Sequence, residues 1–169
     1  MKVYQNIFLA MLIFLSPVGA ISSEEKKVSD LSPRQQAIIP IAAFTANGDL
    51  ELLKSALNEG LEVGLTLNEI KEMFAHLYAY VGFPRALNGQ AAFMAVVAER
   101  KAQGIEDLTG KEASPVPSDF DKDQYGGEVR AKLAGLEKDI SGAPWQEFSP
   151  IMDTYLKEHL FADIFVRDV

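Results

Sequence analysis

No cysteine occurs anywhere in the 169 residues. That absence removes thiol nucleophiles, redox-active dithiols, thiolate-bound metals and disulfide staples together. A domain of this size without crosslinks stands on its core, on association with further copies, or on both. Positive charge is also scarce: 16 Lys and Arg face 24 Asp and Glu, a net charge of −8. Such a surface disfavours nucleic acid, whose phosphates demand Lys and Arg, and it disfavours anionic membranes. Histidine occurs only at His76 and His159.

Long apolar runs are missing too. Ile7–Leu15 (IFLAMLIFL) has nine apolar residues, against the roughly 20 that a membrane-spanning helix needs. With Lys2 before it and Val18-Gly19-Ala20 after it, the run has the three-part layout of a secretory signal peptide. The expectation is cleavage near Ala20 and an exported protein, periplasmic or secreted, with no membrane attachment afterwards. What remains, about 150 residues, suits one domain. Residues 21–31 (ISSEEKKVSDL) read as a flexible, charged lead-in.

What is present is helical punctuation. Ser32-Pro33-Arg34-Gln35 offers a cap, a proline suited to the first helical position and a capping-box glutamine. Ile38, Ile39, Ala42, Ala43 and Ala46 follow at helical spacing, and Asn47-Gly48 stops the helix. Asp49 caps a second helix, with Leu50, Leu53 and Leu57 inward and an end near Gly60. Thr66-Leu67-Asn68-Glu69 is a Thr-x-x-Glu capping box that opens a third helix. Its apolar stripe is Ile70, Phe74, Leu77 and Val81. Gly82 ends it and Pro84 starts a fourth helix, carrying Ala86, Leu87, Ala91, Phe93, Met94, Val97 and Ala98, with Arg100 and Lys101 near its C-terminal dipole and Gly104 beyond. Met73 and Met94 fall at core spacing.

Residues 32–104 thus predict an all-α domain. Residues 105–144 predict an irregular linker, with a short helix near Val129–Lys138 and a solvated acidic loop at Asp119–Asp123. Residues 145–169 predict a final helix from Ser149-Pro150 to about Leu160, anchored by Trp145 and Phe148. The apolar ending, FADIFVRDV, docks on the core or on a neighbouring subunit.

The one stretch with the look of chemistry is NEIKEMFAHLYAYVGFPRALNG, residues 68–89. Glu72, His76 and Tyr80 lie at i, i+4 and i+8, so they share one helix face. A carboxylate beside a histidine raises its basicity, which suits a proton shuttle near neutral pH. The same pair also satisfies a half-buried histidine with no chemistry at all. Glu-x-x-x-His occurs once, whereas a di-iron bundle repeats Glu-x-x-His on two helices, so no metal site is expected. His159, flanked by Glu158 and Asp163, reads as polar trim at a helix end.

LTLNEIKEMFAHLYAYVGFPRALNG resembles the helical-hairpin signature of carboxymuconolactone decarboxylase-like proteins, relatives of the AhpD alkylhydroperoxidase group. The matching positions are Glu69, Ile70, Glu72, His76, Tyr80, Gly82, Pro84 and Ala86, and residues 31–61 resemble the helical pair that precedes the signature. The resemblance implies an AhpD-like helical bundle, one module plus an irregular C-terminal extension. The tail is similar to the connector that leads, in two-module relatives, to a second copy, which is expected to be missing here. Peroxidase chemistry in the family uses a Cys-x-x-Cys pair, and this chain has none. The resemblance therefore implies cofactor-free lyase or isomerase-type chemistry on a small carboxylated or lactone substrate. His76 is then the acid/base, Glu72 orients it, Tyr80 donates toward an oxyanion and Arg85 grips a substrate carboxylate. A homo-oligomer is expected. The alternative reading is a non-catalytic scaffold or binding module of the same fold.

Overall fold

The computed structural model describes residues 31–115 and 119–167. The signal-peptide and lead-in readings, apart from Leu31, lie outside the described residues. No strand occurs among those residues. The helices are α1 (Pro33–Asn47), α2 (Leu50–Glu62), α3 (Leu67–Ala102), α4 (Lys122–Leu133), α5 (Pro144–Phe148) and α6 (Pro150–Tyr155). α6 continues without a break into a wider, π-type coil, Leu156–Ile164, designated π1.

The capping chemistry places the first three helices as the sequence predicts. Ser32 and Gln35 form a reciprocal capping box, Gly48 closes α1 in the left-handed region at φ 77°, and the Asp49 carboxylate accepts from the Leu52 N–H at 3.1 Å. Thr66 and Glu69 form the second reciprocal box. Gly82, at φ 77° and ψ 160°, breaks α3 into two halves, with Pro84 at the start of the second. A side chain at Gly82 would strain the break, since only glycine occupies positive φ freely. The halves can fold together because Gly89 has no Cβ: one built there would lie 2.6 Å from the Phe74 ring.

α1, α2 and α3 pack on one another around Ile41, Leu53, Leu57, Ile70, Phe74, Phe93 and Val96. The core-facing side of α1 differs from the expected one. Ile41 and Thr45 are buried, while Ile39, Ala43 and Ala46 are exposed. Pro40 and the many alanines blur the amphipathic signal of α1. Leu50, Leu87 and Met94 are exposed as well, so Met94 is not core, whereas Leu53, Leu57, Ala86 and Phe93 are buried. α2 runs to Glu62, past Gly60, which stays inside the helix, buried against Ile41 and Leu65.

Beyond α3 the chain turns back on the helix start. The Leu108 and Thr109 carbonyls accept from the Leu67 and Asn68 N–H groups at 2.9 Å each, filling donors that a helix start leaves open. Arg100 anchors this return: its guanidinium forks onto Asp107 and reaches Glu62 at 2.8 Å, while itself buried. α4 begins at Lys122, not near Val129. Asp121 caps it and Asp123 lies in its first turn, so the acidic stretch starts a helix rather than only solvating a loop. π1 packs chiefly on α4 and only thinly on α3. The approach is close because Gly126 has no Cβ; one built there would overlap the Lys157 carbonyl at 1.9 Å. The expected anchors Trp145 and Phe148 fall in the short α5, with Phe148 92% exposed. In the described part of the apolar tail Ala162 and Ile164 are buried, on a coil that packs chiefly against α4 rather than in the core of α1–α3.

Candidate functional site

A cavity of about 390 Å³ opens between α1, the first half of α3 and the C-terminal tail. Ile38 and Ala42 form its α1 wall, with Leu65, Ile70, Met73, Leu77 and Ile164 adding apolar surface. Four ionisable side chains line it: Glu69, Glu72, His76 and Arg167. The size and the mix of an apolar wall with a few convergent polar groups suit a small-molecule site.

Each polar group has a local reason for its place. Glu69 is the capping-box acid of α3, accepting from the Thr66 N–H at 2.7 Å, and it also pairs with Arg34. Partial burial pushes its carboxyl up, but the Thr66 bonds and Arg34 outweigh that and hold it below its ordinary value. Glu72 lies one turn further on and is taken by Arg167, which forks onto it: Nε donates to Oε2 and Nη2 donates to Oε1 at 2.7 Å. The bond to Glu72 outweighs desolvation and binds the Arg167 proton more firmly.

His76 follows one turn later. Its ring stacks between two aromatics, Phe165 at 5.1 Å and 11° and Tyr80 at 5.6 Å and 27°. Glu72 and His76 thus share the cavity wall, but the Glu72 carboxylate is engaged by Arg167 and makes no hydrogen bond to the imidazole. Tyr80 is 61% exposed and touches the histidine from outside the cavity lining. Arg85 is elsewhere: its guanidinium covers Gly48 at the α1–α2 turn, a position where a Cβ would meet Nη1 at 1.4 Å. The turn residues after Gly82 aim Arg85 toward the start of the bundle, and it is not among the lining residues.

His159 lies on π1, with Nδ1 3.2 Å from the Asp163 carboxylate and its ring 5.6 Å from Tyr78. Among the described residues, no group of three His, Cys, Asp or Glu side chains could hold a metal ion. No helix among them is long and apolar enough to cross a membrane.

The residues that sequence reasoning missed are Arg167 and Ile164. Their only signal was a lone cation in a largely apolar ending, FADIFVRD, that also carries Asp163 and Asp168.

Fold and site together define a class: an all-α helical-hairpin protein, free of cysteine, with a carboxylate and a histidine on one cavity wall. Residues 19–95 match the model of the carboxymuconolactone decarboxylase family, and that match supports a carboxymuconolactone decarboxylase-like, AhpD-like all-α fold. The match takes in α1, α2 and most of α3; the tail that supplies Arg167 lies beyond it. No curated protein matches the chain.

Proposed function

We propose that the cavity carries out acid–base chemistry on a small carboxylated or lactone substrate, with His76 as the proton carrier. The observation that supports this most is the convergence of His76, Glu72 and Arg167 on one apolar-walled space of about 390 Å³. In a decarboxylation of a lactone acid, the bond from ring carbon to carboxylate breaks and its electron pair moves into the conjugated carbonyl. Carbon dioxide leaves, and the resulting dienolate takes a proton at carbon. His76 is the group suited to deliver that proton, since imidazole exchanges protons near neutral pH. Its ring stacks on Phe165 and on Tyr80, and the apolar wall favours the loss of a charged carboxylate.

Turnover of lactone acids by the purified protein, lost in His76→Ala with an unchanged melting temperature, is the expected result. Turnover that survives the substitution would remove His76 from the chemistry. The same reading includes a homo-oligomer. Phe83, Leu87 and Met94 are each more than half exposed along one side of the second half of α3, which suits burial against further copies. Sedimentation at several concentrations tests this. Export after cleavage near Ala20 is proposed from the N-terminal pattern, and N-terminal sequencing of the protein from its producing cell tests it.

A further inference from the structure

The cavity has one fixed cation, and the expected substrate clamp is not it. Arg85 sits over Gly48, whereas Arg167 is the only Arg or Lys among the lining residues. Its guanidinium holds the Glu72 carboxylate in a fork, the geometry in which it would hold any carboxylate. Two carboxylates cannot occupy one fork. A carboxylated ligand that seats on this Nε–Nη2 edge competes with Glu72 for it, and the loser must find another donor. For Glu72 the nearest one along its own helix is His76, one turn away on the same wall.

We propose that Arg167 is the anion-receiving group of the cavity, and that a ligand carboxylate takes it from Glu72, which then turns to His76. The inference rests on the acid–base reading above and extends it by naming the receptor and the ligand group it takes. In the empty site Glu72 is paired with Arg167 and makes no hydrogen bond to the histidine. In the occupied site the ligand carboxylate is neutralised instead, and Glu72 raises the basicity of His76 by accepting from its ring. The proton carrier is thus strengthened only when an anion is bound. The groups facing His76 are few enough for this to be read: Glu69 and Glu72 on α3, Tyr80 on the same helix, and Phe165 and Arg167 on the tail; α1 contributes only Ile38 and Ala42. Glu69 is already committed to Thr66 and Arg34.

The probe is benzoate, an anion small enough for the space, with benzamide as its neutral shape match. Both are titrated into full-length protein carrying isotope-labelled histidine and followed by NMR. Benzoate is expected to bind, to shift the His76 ring signals and to move the His76 titration to higher pH; benzamide does neither. Arg167→Gln weakens benzoate by roughly tenfold or more, while Arg85→Gln leaves it unchanged. Glu72→Gln is the diagnostic variant: removing the competitor tightens benzoate binding and abolishes the rise in the His76 titration. Folding of each variant is checked by its far-ultraviolet circular dichroism. Equal binding to wild type and Arg167→Gln, weaker binding to Glu72→Gln, or a shift lost on Arg85→Gln would each overturn the exchange. These readouts are equilibrium ones, so the exchange stands or falls separately from turnover. Partner exchange without any turnover would sink the lyase reading alone, and turnover without partner exchange would sink this inference alone.

Discussion

The helices at residues 33–102 and those at 122–164 solve the same problem, holding short helices together without disulfides, in different ways. The first region relies chiefly on shape, with Arg100 in its fork on Asp107 and Glu62 as its one buried cation among the described residues. Its centre is a continuous set of apolar side chains, with Ile41, Leu53, Leu57 and Val96 wholly buried, and burial of such groups contributes about 1.5–3 kcal/mol each. The second region has little to bury: Ala131, Ala162 and Ile164 are its buried apolar side chains. It is organised instead around the buried Arg130, which forks onto Asp139 at 2.6 and 2.7 Å and reaches Asp153 at 2.7 Å. Lys157 adds pairs to Asp123 and Asp153, and Lys122 binds Asp163 at 2.7 and 2.9 Å. A core of apolar contacts is insensitive to pH and salt, whereas a network of charges depends on both. The half that carries most of the family match is thus the rugged one, and the half that supplies Arg167 is the conditional one.

The sharpest way to break this contrast is Arg130→Ala. Removing the cation strips Asp139 of its fork and leaves Asp153 to Gln146 and Lys157, a loss of about 3–5 kcal/mol. Hydrogen exchange should then rise across 122–164 and stay low across 33–102. A uniform rise would mean that the two regions unfold as one. Leu57→Ala makes the opposite test. It opens a cavity in the apolar core at a cost of about 2–5 kcal/mol, read by chemical denaturation. The loss should be the same at 10 mM and 500 mM salt, which would not hold if charge pairs shared that core.

Acid comes next. At Asp153, burial pushes the carboxyl up but bonds from Arg130, Gln146 and Lys157 win; at Asp163, burial is likewise outweighed by Lys122 and His159. Both carboxyls end below their ordinary value of 3.8. A carboxyl depressed on folding adds stability that is complete above the ordinary value and drains away as pH falls through the folded one. Lowering pH from 5 toward 3 should therefore loosen 122–164 first, as seen by exchange mass spectrometry. In the first region only Glu69 is shifted in this way, so its amides should hold longer. The smallest effect expected is at Gly82→Ala, about 1–3 kcal/mol for forcing a side chain into a backbone region that is essentially glycine's alone. Its thermal midpoint should fall modestly while the salt response stays as in the wild type.

The same contrast decides what the sequence could tell. In 33–102 the signals are local: a cap, a box partner three residues on, a glycine at the stop. Each is written within one turn of the position it controls, and the helix starts fall where Ser32, Asp49 and Thr66 put them. Which face turns inward was harder, because α1 is rich in alanine and Pro40, and Ile38 and Ile39 look as apolar as Ile41. In 122–164 the signals are distant. Arg130 meets Asp153 across 23 positions and Lys122 meets Asp163 across 41, so nothing near α4 announces it except the Asp121 cap, and Gly126-Gly127 argues against a helix. The site divides in the same way. Glu72 and His76 stand out as neighbours on one helix, but the partner that occupies Glu72 lies 95 residues away.

The wide coil of π1 sets a rule about chain length. An α-helix turns about 100° per residue and a π coil less, so a stretch of π geometry stores rotation that an α-helix of the same length would spend. Everything after Ile164 inherits that angle. Deleting one residue between Leu156 and Ile164 while the wide coil persists would swing Phe165 and Arg167 by roughly a quarter turn away from His76 and Glu72. Substitutions there can be absorbed one side chain at a time, but a change in residue count cannot. The far wall of the cavity is aimed by counting.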